Sequence, residues 1–124
     1  MRIKSAAHFR RAYAQGSRAR GSQLVVVVVP NDGKTTRLGL SIGRRIWKSA
    51  VRRNRVRRVF REAFRVSYPA LPKGVDIVLI AAQPKLEPNF EDVCRELTRL
   101  AQKALRRYRE KQAQAASPTD RNAS

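Results

Sequence analysis

An α+β domain, with a small central sheet sandwiched against helices in the order α-β-β-α-β-α, is what this 124-residue sequence predicts. Three observations predict it. Residues 24–29 are an unbroken, mostly β-branched run; residues 37–43 alternate apolar and polar; and two stretches with three- and four-residue apolar spacing flank a further apolar run at 75–82. The length suits one domain with one modest core. We place that domain at residues 1–112 and a flexible tail, rich in Ala, Gln and Ser, at 113–124.

The elements follow in order. Ser5 is placed to cap a first helix whose Phe9, Ala12 and Tyr13 share a face, with Gly16 as its stop and Arg10 and Arg11 on its basic side. Leu24-Val25-Val26-Val27-Val28-Val29 then reads as a strand buried on both faces, closed by the turn residues Pro30-Asn31-Asp32-Gly33. Leu38, Leu40 and Ile42 mark a half-buried strand expected to pair with it as a hairpin. From 49 to 68 the period is helical, Val56, Val59, Phe60, Ala63 and Phe64 forming one stripe before Pro69 and Pro72 end it. A third strand spans 75–82, and Asn89 is placed to cap a long last helix with Glu91 and Asp92 in its first turn. Its stripe runs from Phe90 to Tyr108, with Cys94 on it as a small core residue.

Charge indicates the class of partner. Twenty-eight Lys and Arg face 9 Asp and Glu, a net charge of +19, which calls for a polyanion. Between Arg44 and Arg65 ten basic residues meet only Glu62. At about 100° per residue, Asn54, Arg58, Arg61 and Arg65 fall opposite the apolar stripe, so this helix has one apolar and one guanidinium face. Planar guanidinium forks hold two phosphate oxygens or stack on a base, which suits folded RNA. A membrane-surface helix is disfavoured, because the three strands and the second amphipathic helix need that stripe for a core. One Cys and one His exclude an internal disulfide, a zinc finger and an unaided Ser-His-Asp triad, and the apolar runs are too short to span a bilayer. With no apolar segment behind the N-terminal charges, a cytoplasmic protein is expected.

The segment Ala50-Val51-Arg52-Arg53-Asn54-Arg55-Val56-Arg57-Arg58-Val59-Phe60-Arg61 resembles the signature of the bacterial ribonuclease P protein subunit, an Arg-Asn-Arg helix following Ala-Val. Residues 9–16, 37–42 and 76–81 resemble that family's first helix and the strands before and after the signature helix. The resemblance implies a left-handed βαβ crossover, an exception to the usual right-handed rule. It also implies an accessory subunit of an endoribonuclease. The RNA subunit, with Mg²⁺ bound mainly by that RNA, removes the 5′ leader of precursor tRNA to make the mature 5′ end, and no further protein partner is required.

By the same resemblance Arg52, Arg53, Asn54, Arg55, Arg57, Arg58, Arg61 and Arg65 would bind the RNA subunit, and Phe9, Tyr13, Arg10, Val25, Val27 and Lys85 the leader. Aromatic rings at 9 and 13 can stack on unpaired bases, and packing at the same positions is equally open. Trp47 stands where the family commonly has glycine, and valines at 25 and 27 replace an aromatic often seen there. No catalytic residue is expected in the protein, since its carboxylates are scattered and His8 is the only histidine. The rivals are a basic structural ribosomal protein and a DNA-compacting protein; the latter usually has a dimer interface or basic arms.

Overall fold

The structure, a computed structural model, describes residues 6–115. Ser5 and residues 116–124 lie outside the described residues. Three helices, α1 (Ala6–Gln15), α2 (Ala50–Ser67) and α3 (Phe90–Ala115), surround strands β1 (Ser17–Arg20), β2 (Leu24–Pro30), β3 (Arg37–Ser41) and β4 (Val75–Ala81). A 3-10 turn, Tyr68–Ala70, follows α2 where Pro69 prevents its continuation. Helix α3 runs past residue 112, so at 113–115 the chain is helical where a flexible tail was expected.

The sheet order is β1-β2-β4-β3. β2 pairs antiparallel with β1 and β4, and β3 pairs parallel with β4. The expected β2–β3 hairpin is therefore not formed. The loop after β2 is fastened instead to the segment that leads into β4: the Asn31 amide donates to the Gly74 carbonyl (2.8 Å), its side chain to Asp76 (2.9 Å), and the Thr36 hydroxyl to the Pro72 carbonyl (2.5 Å). These bonds leave β4 between β2 and β3, with α2 as the crossover between parallel strands. Gly74 takes a left-handed φ of 69° beside the Gly33 carbonyl, a turn no β-carbon would enter without strain.

Period-2 alternation sends Leu24, Val26 and Val28 to one face, where they join Leu38, Ile77, Leu79, the α2 stripe (Val56, Phe60, Ala63, Phe64) and Leu97 and Leu100 of α3 in the main core. On the other face Val27, Val29 and Val78 are covered by Ala12 of α1. β1 was not anticipated from the sequence. Its four residues, Ser17-Arg18-Ala19-Arg20, alternate buried and exposed, and Gly16 before them is packed so tightly that a β-carbon would lie 2.5 Å from the Ala12 carbonyl oxygen.

Candidate nucleic-acid interface

Helix α2 begins where Ser49 accepts the Arg52 amide (3.3 Å) and is anchored by arginines that turn back onto the backbone before it. Arg53 Nη1 donates to the carbonyls of Trp47 (2.8 Å) and Lys48 (2.9 Å). Arg57 Nη2 donates to the Ile42 carbonyl (2.7 Å) and Nη1 to Asn54 Oδ1 (3.1 Å). Trp47 is half-buried and donates to the Leu86 carbonyl (2.8 Å), with the Arg52 guanidinium 4.7 Å above its ring. The indole thus closes the base of α2 and packs as part of the scaffold.

The remaining arginines point outward. Arg55, Arg58 and Arg61 are exposed, and among the described residues Arg55 and Arg58 have no hydrogen-bond or ion-pair partner, while Arg61 makes one long contact to the Arg57 carbonyl (3.4 Å). Arg65 is paired with Glu62 on the same face. The hydrogen bond from Arg65 holds the Glu62 carboxyl below its ordinary range. Between α2 and the outer strand β3 lies a groove of about 750 Å³, floored by Leu38, Phe64 and Tyr68 and rimmed by Arg58, Arg61 and Arg65. Of the eight arginine-helix residues singled out in the sequence, Arg58 and Arg61 share this open face, whereas Arg53 and Arg57 also hold the fold together.

The six other site residues are divided. Phe9 and Tyr13, 6.5 Å apart between ring centres, are half-buried against the α1 side of the sheet. Val25 and Val27 lie beneath that face with 8% and 0% exposure, floor rather than contact surface. Arg10 is on the solvent side of α1, and Lys85 is exposed beyond β4, where its amide donates to the Ile46 carbonyl near the start of α2. Reading the sequence missed Arg18, whose guanidinium lies 5.6 Å above the Tyr13 ring. The alternation Ser-Arg-Ala-Arg was its only signal.

Asp76, Glu87, Asp92 and Glu96 are each committed to a different partner. Asp76, wholly buried, accepts a bidentate pair from Arg37 (2.7 and 2.8 Å). Its hydrogen bonds raise the Arg37 pKa above the ordinary value, against the opposing effect of burial. Arg52 is 3.5 Å from Glu87, Asp92 pairs with Arg95, and Glu96 binds the β1–β2 turn. Among the described residues no three His, Cys, Asp or Glu side chains converge on a metal-sized site, and no helix is long and apolar enough to cross a membrane.

Fold and charge together define a small, basic α+β protein built around an arginine helix. The family model for ribonuclease P matches residues 1–105. A ribonuclease P protein component from Picosynechococcus is 35% identical over 99 residues, covering 80% of this chain and 85% of that protein. The ribonuclease P protein of Thermotoga maritima superposes with a TM-score of 0.73 at 30% identity, covering 83% of this chain and 96% of that one. That of Staphylococcus aureus superposes with a TM-score of 0.71 at 32% identity, covering 83% and 94%. The chain belongs to the ribonuclease P protein family, whose members are protein components of that endoribonuclease.

Proposed function

We propose that this chain binds ribonuclease P RNA through α2 and the 5′ leader of precursor tRNA through the α1 side of its sheet, assisting Mg²⁺-dependent leader removal. The observation that carries this reading is the division within α2. Arg53 and Arg57 fasten the helix to the backbone, so that Arg55, Arg58 and Arg61 are presented unneutralised to a partner. A guanidinium without a protein carboxylate is available to phosphate.

On this reading the chemistry belongs to the RNA. Mg²⁺ requires several oxygen ligands in near-octahedral array. Among the described residues Asp76, Glu87 and Asp92 are each paired with a different arginine and no three acidic, His or Cys side chains converge, so these residues do not fit such a site. The protein's part is charge neutralisation and positioning of the substrate, which lower the Mg²⁺ requirement without supplying a general base.

The test is reconstitution with a ribonuclease P RNA at Mg²⁺ too low for the RNA alone. The protein should restore site-specific leader removal, and its affinity for the RNA should fall steeply with salt. Arg58→Ala with Arg61→Ala should weaken that affinity and lower the slope of log K against log salt by about 0.7 to 0.9 per lost contact, leaving the circular-dichroism spectrum unchanged. Failure to rescue cleavage, as expected of a structural ribosomal protein, would overturn the assignment.

A further inference from the structure

At the far end of α1 from its N-terminus, a notch of about 480 Å³ opens between the start of β1 and the last turns of α3, lined by Gly16, Ser17, Arg18, Arg107, Glu110, Lys111 and Gln114. Three cations surround one carboxylate there. Ser17 has 6% exposure, and its hydroxyl is one of two buried side-chain polar atoms among the described residues with no hydrogen-bond partner, the other being His8 Nδ1. Such a group is unfavourable where nothing satisfies it, and it marks a place where a ligand atom would be stabilising.

The backbone supplies a further donor. β1 is an edge strand, and the Arg18 carbonyl is turned away from β2 to accept Arg107 Nη1 at 2.7 Å. In an antiparallel pair a residue turns its N–H and C=O to the same side, so the Arg18 amide also faces the outer edge. The notch therefore gathers a hydroxyl, an edge amide, the free N–H groups of Arg107 and the ammonium of Lys111. That donor set matches an oxyanion with several acceptor oxygens. Arg18 also connects the notch to the α1 face, since its guanidinium lies above the Tyr13 ring.

We propose that this notch seats a phosphodiester group of the single-stranded RNA whose base lies against Tyr13, with Ser17, Arg107 and Lys111 as its ligands. The proposal rests on the leader-binding reading above. Spacing a phosphate seat beside a stacking ring fixes the register of a strand, which stacking alone leaves free because every base has a π-face.

The experiment uses the reconstituted holoenzyme and precursor tRNAs carrying one neutral methylphosphonate at successive leader positions. In the wild type, neutralisation at one position should weaken binding by about tenfold or more, the scale of one charge-assisted hydrogen bond, and neighbouring positions should respond little. In Lys111→Gln, whose side chain is exposed, and separately in Ser17→Ala, affinity for the unmodified leader should drop several-fold, and the position-specific effect should shrink. If both variants keep the wild-type response, or if no single position stands out, the notch is not a phosphate seat. If the leader adds no affinity to the wild type at all, the leader-binding reading fails and the proposal fails with it. Loss through Phe9 and Tyr13 variants with no loss through Ser17 and Lys111 would overturn the proposal alone.

Discussion

On the α2–α3 side of the sheet, Leu24, Val26, Val28, Ile77 and Leu79 are sealed under two helices, whereas on the α1 side a ten-residue helix covers Val27, Val29 and Val78 and leaves Phe9, Tyr13 and Ile80 half-exposed. The same strands serve both faces by alternation, so the difference lies in what covers them. The closed side has the length of α2 and α3 to exclude water. The open side is covered by a helix too short to exclude it from two aromatic rings, and exposed aromatic surface beside arginine is a place where an unpaired base can lie.

The largest effect that would test this contrast is at Phe60, which is wholly buried in the closed core. Phe60→Ala should destabilise the protein by about 3 to 5 kcal/mol, measured by denaturant unfolding, because the cavity is enclosed by sheet and helices that cannot collapse into it. A loss under about 1 kcal/mol would mean the closed side is loosely packed.

At the open face the balance should reverse. Leu replacements at Phe9 and Tyr13 keep most of the apolar volume and should alter unfolding by less than about 1.5 kcal/mol. Removing a stacked ring should reduce precursor tRNA affinity by roughly 1 to 3 kcal/mol per base, and mature tRNA affinity much less. Equal losses for both ligands would reduce the two rings to packing residues.

Much of this contrast is legible in the sequence, and the reasons it is not wholly so are physical. Six consecutive apolar residues at 24–29 announce a central strand, and the stripe and arginine face of α2 follow from helical geometry. The pairing of β2 with β4 does not, because it depends on contacts of Asn31 and Thr36 with residues some forty positions away, whereas the Pro30–Gly33 turn signal acts locally and suggested a hairpin. β1 escaped because four residues with two arginines resemble a solvated loop until an edge position accounts for them. Within α2 the helical wheel shows which arginines face outward, but not that Arg53 and Arg57 bend back to backbone carbonyls. Side-chain length lets a charge leave the face its Cα occupies.

The smallest expected effect is at Glu96, which ties α3 of the closed side to the β1–β2 turn. Its carboxylate accepts the amides of Ser22 (3.2 Å), Gln23 (2.8 Å) and Leu24 (3.3 Å) and the Ser22 hydroxyl. Partial burial pushes its pKa up, and these hydrogen bonds together more than offset that, so the net shift is downward. A group whose folded pKa is depressed contributes stability that is present above its unfolded pKa, about 4.3 for Glu, and is lost as pH falls through the folded value. Glu96→Gln removes the charge while keeping the shape, so at neutral pH it should cost on the order of 1 kcal/mol. The stability difference between wild type and variant should shrink steadily as pH is lowered from about 5 toward 3, a comparison in which the general repulsion of a highly cationic chain largely cancels. A difference that stays constant through that window would mean that Glu96 positions the turn by shape alone and that its charge adds nothing to the closed side.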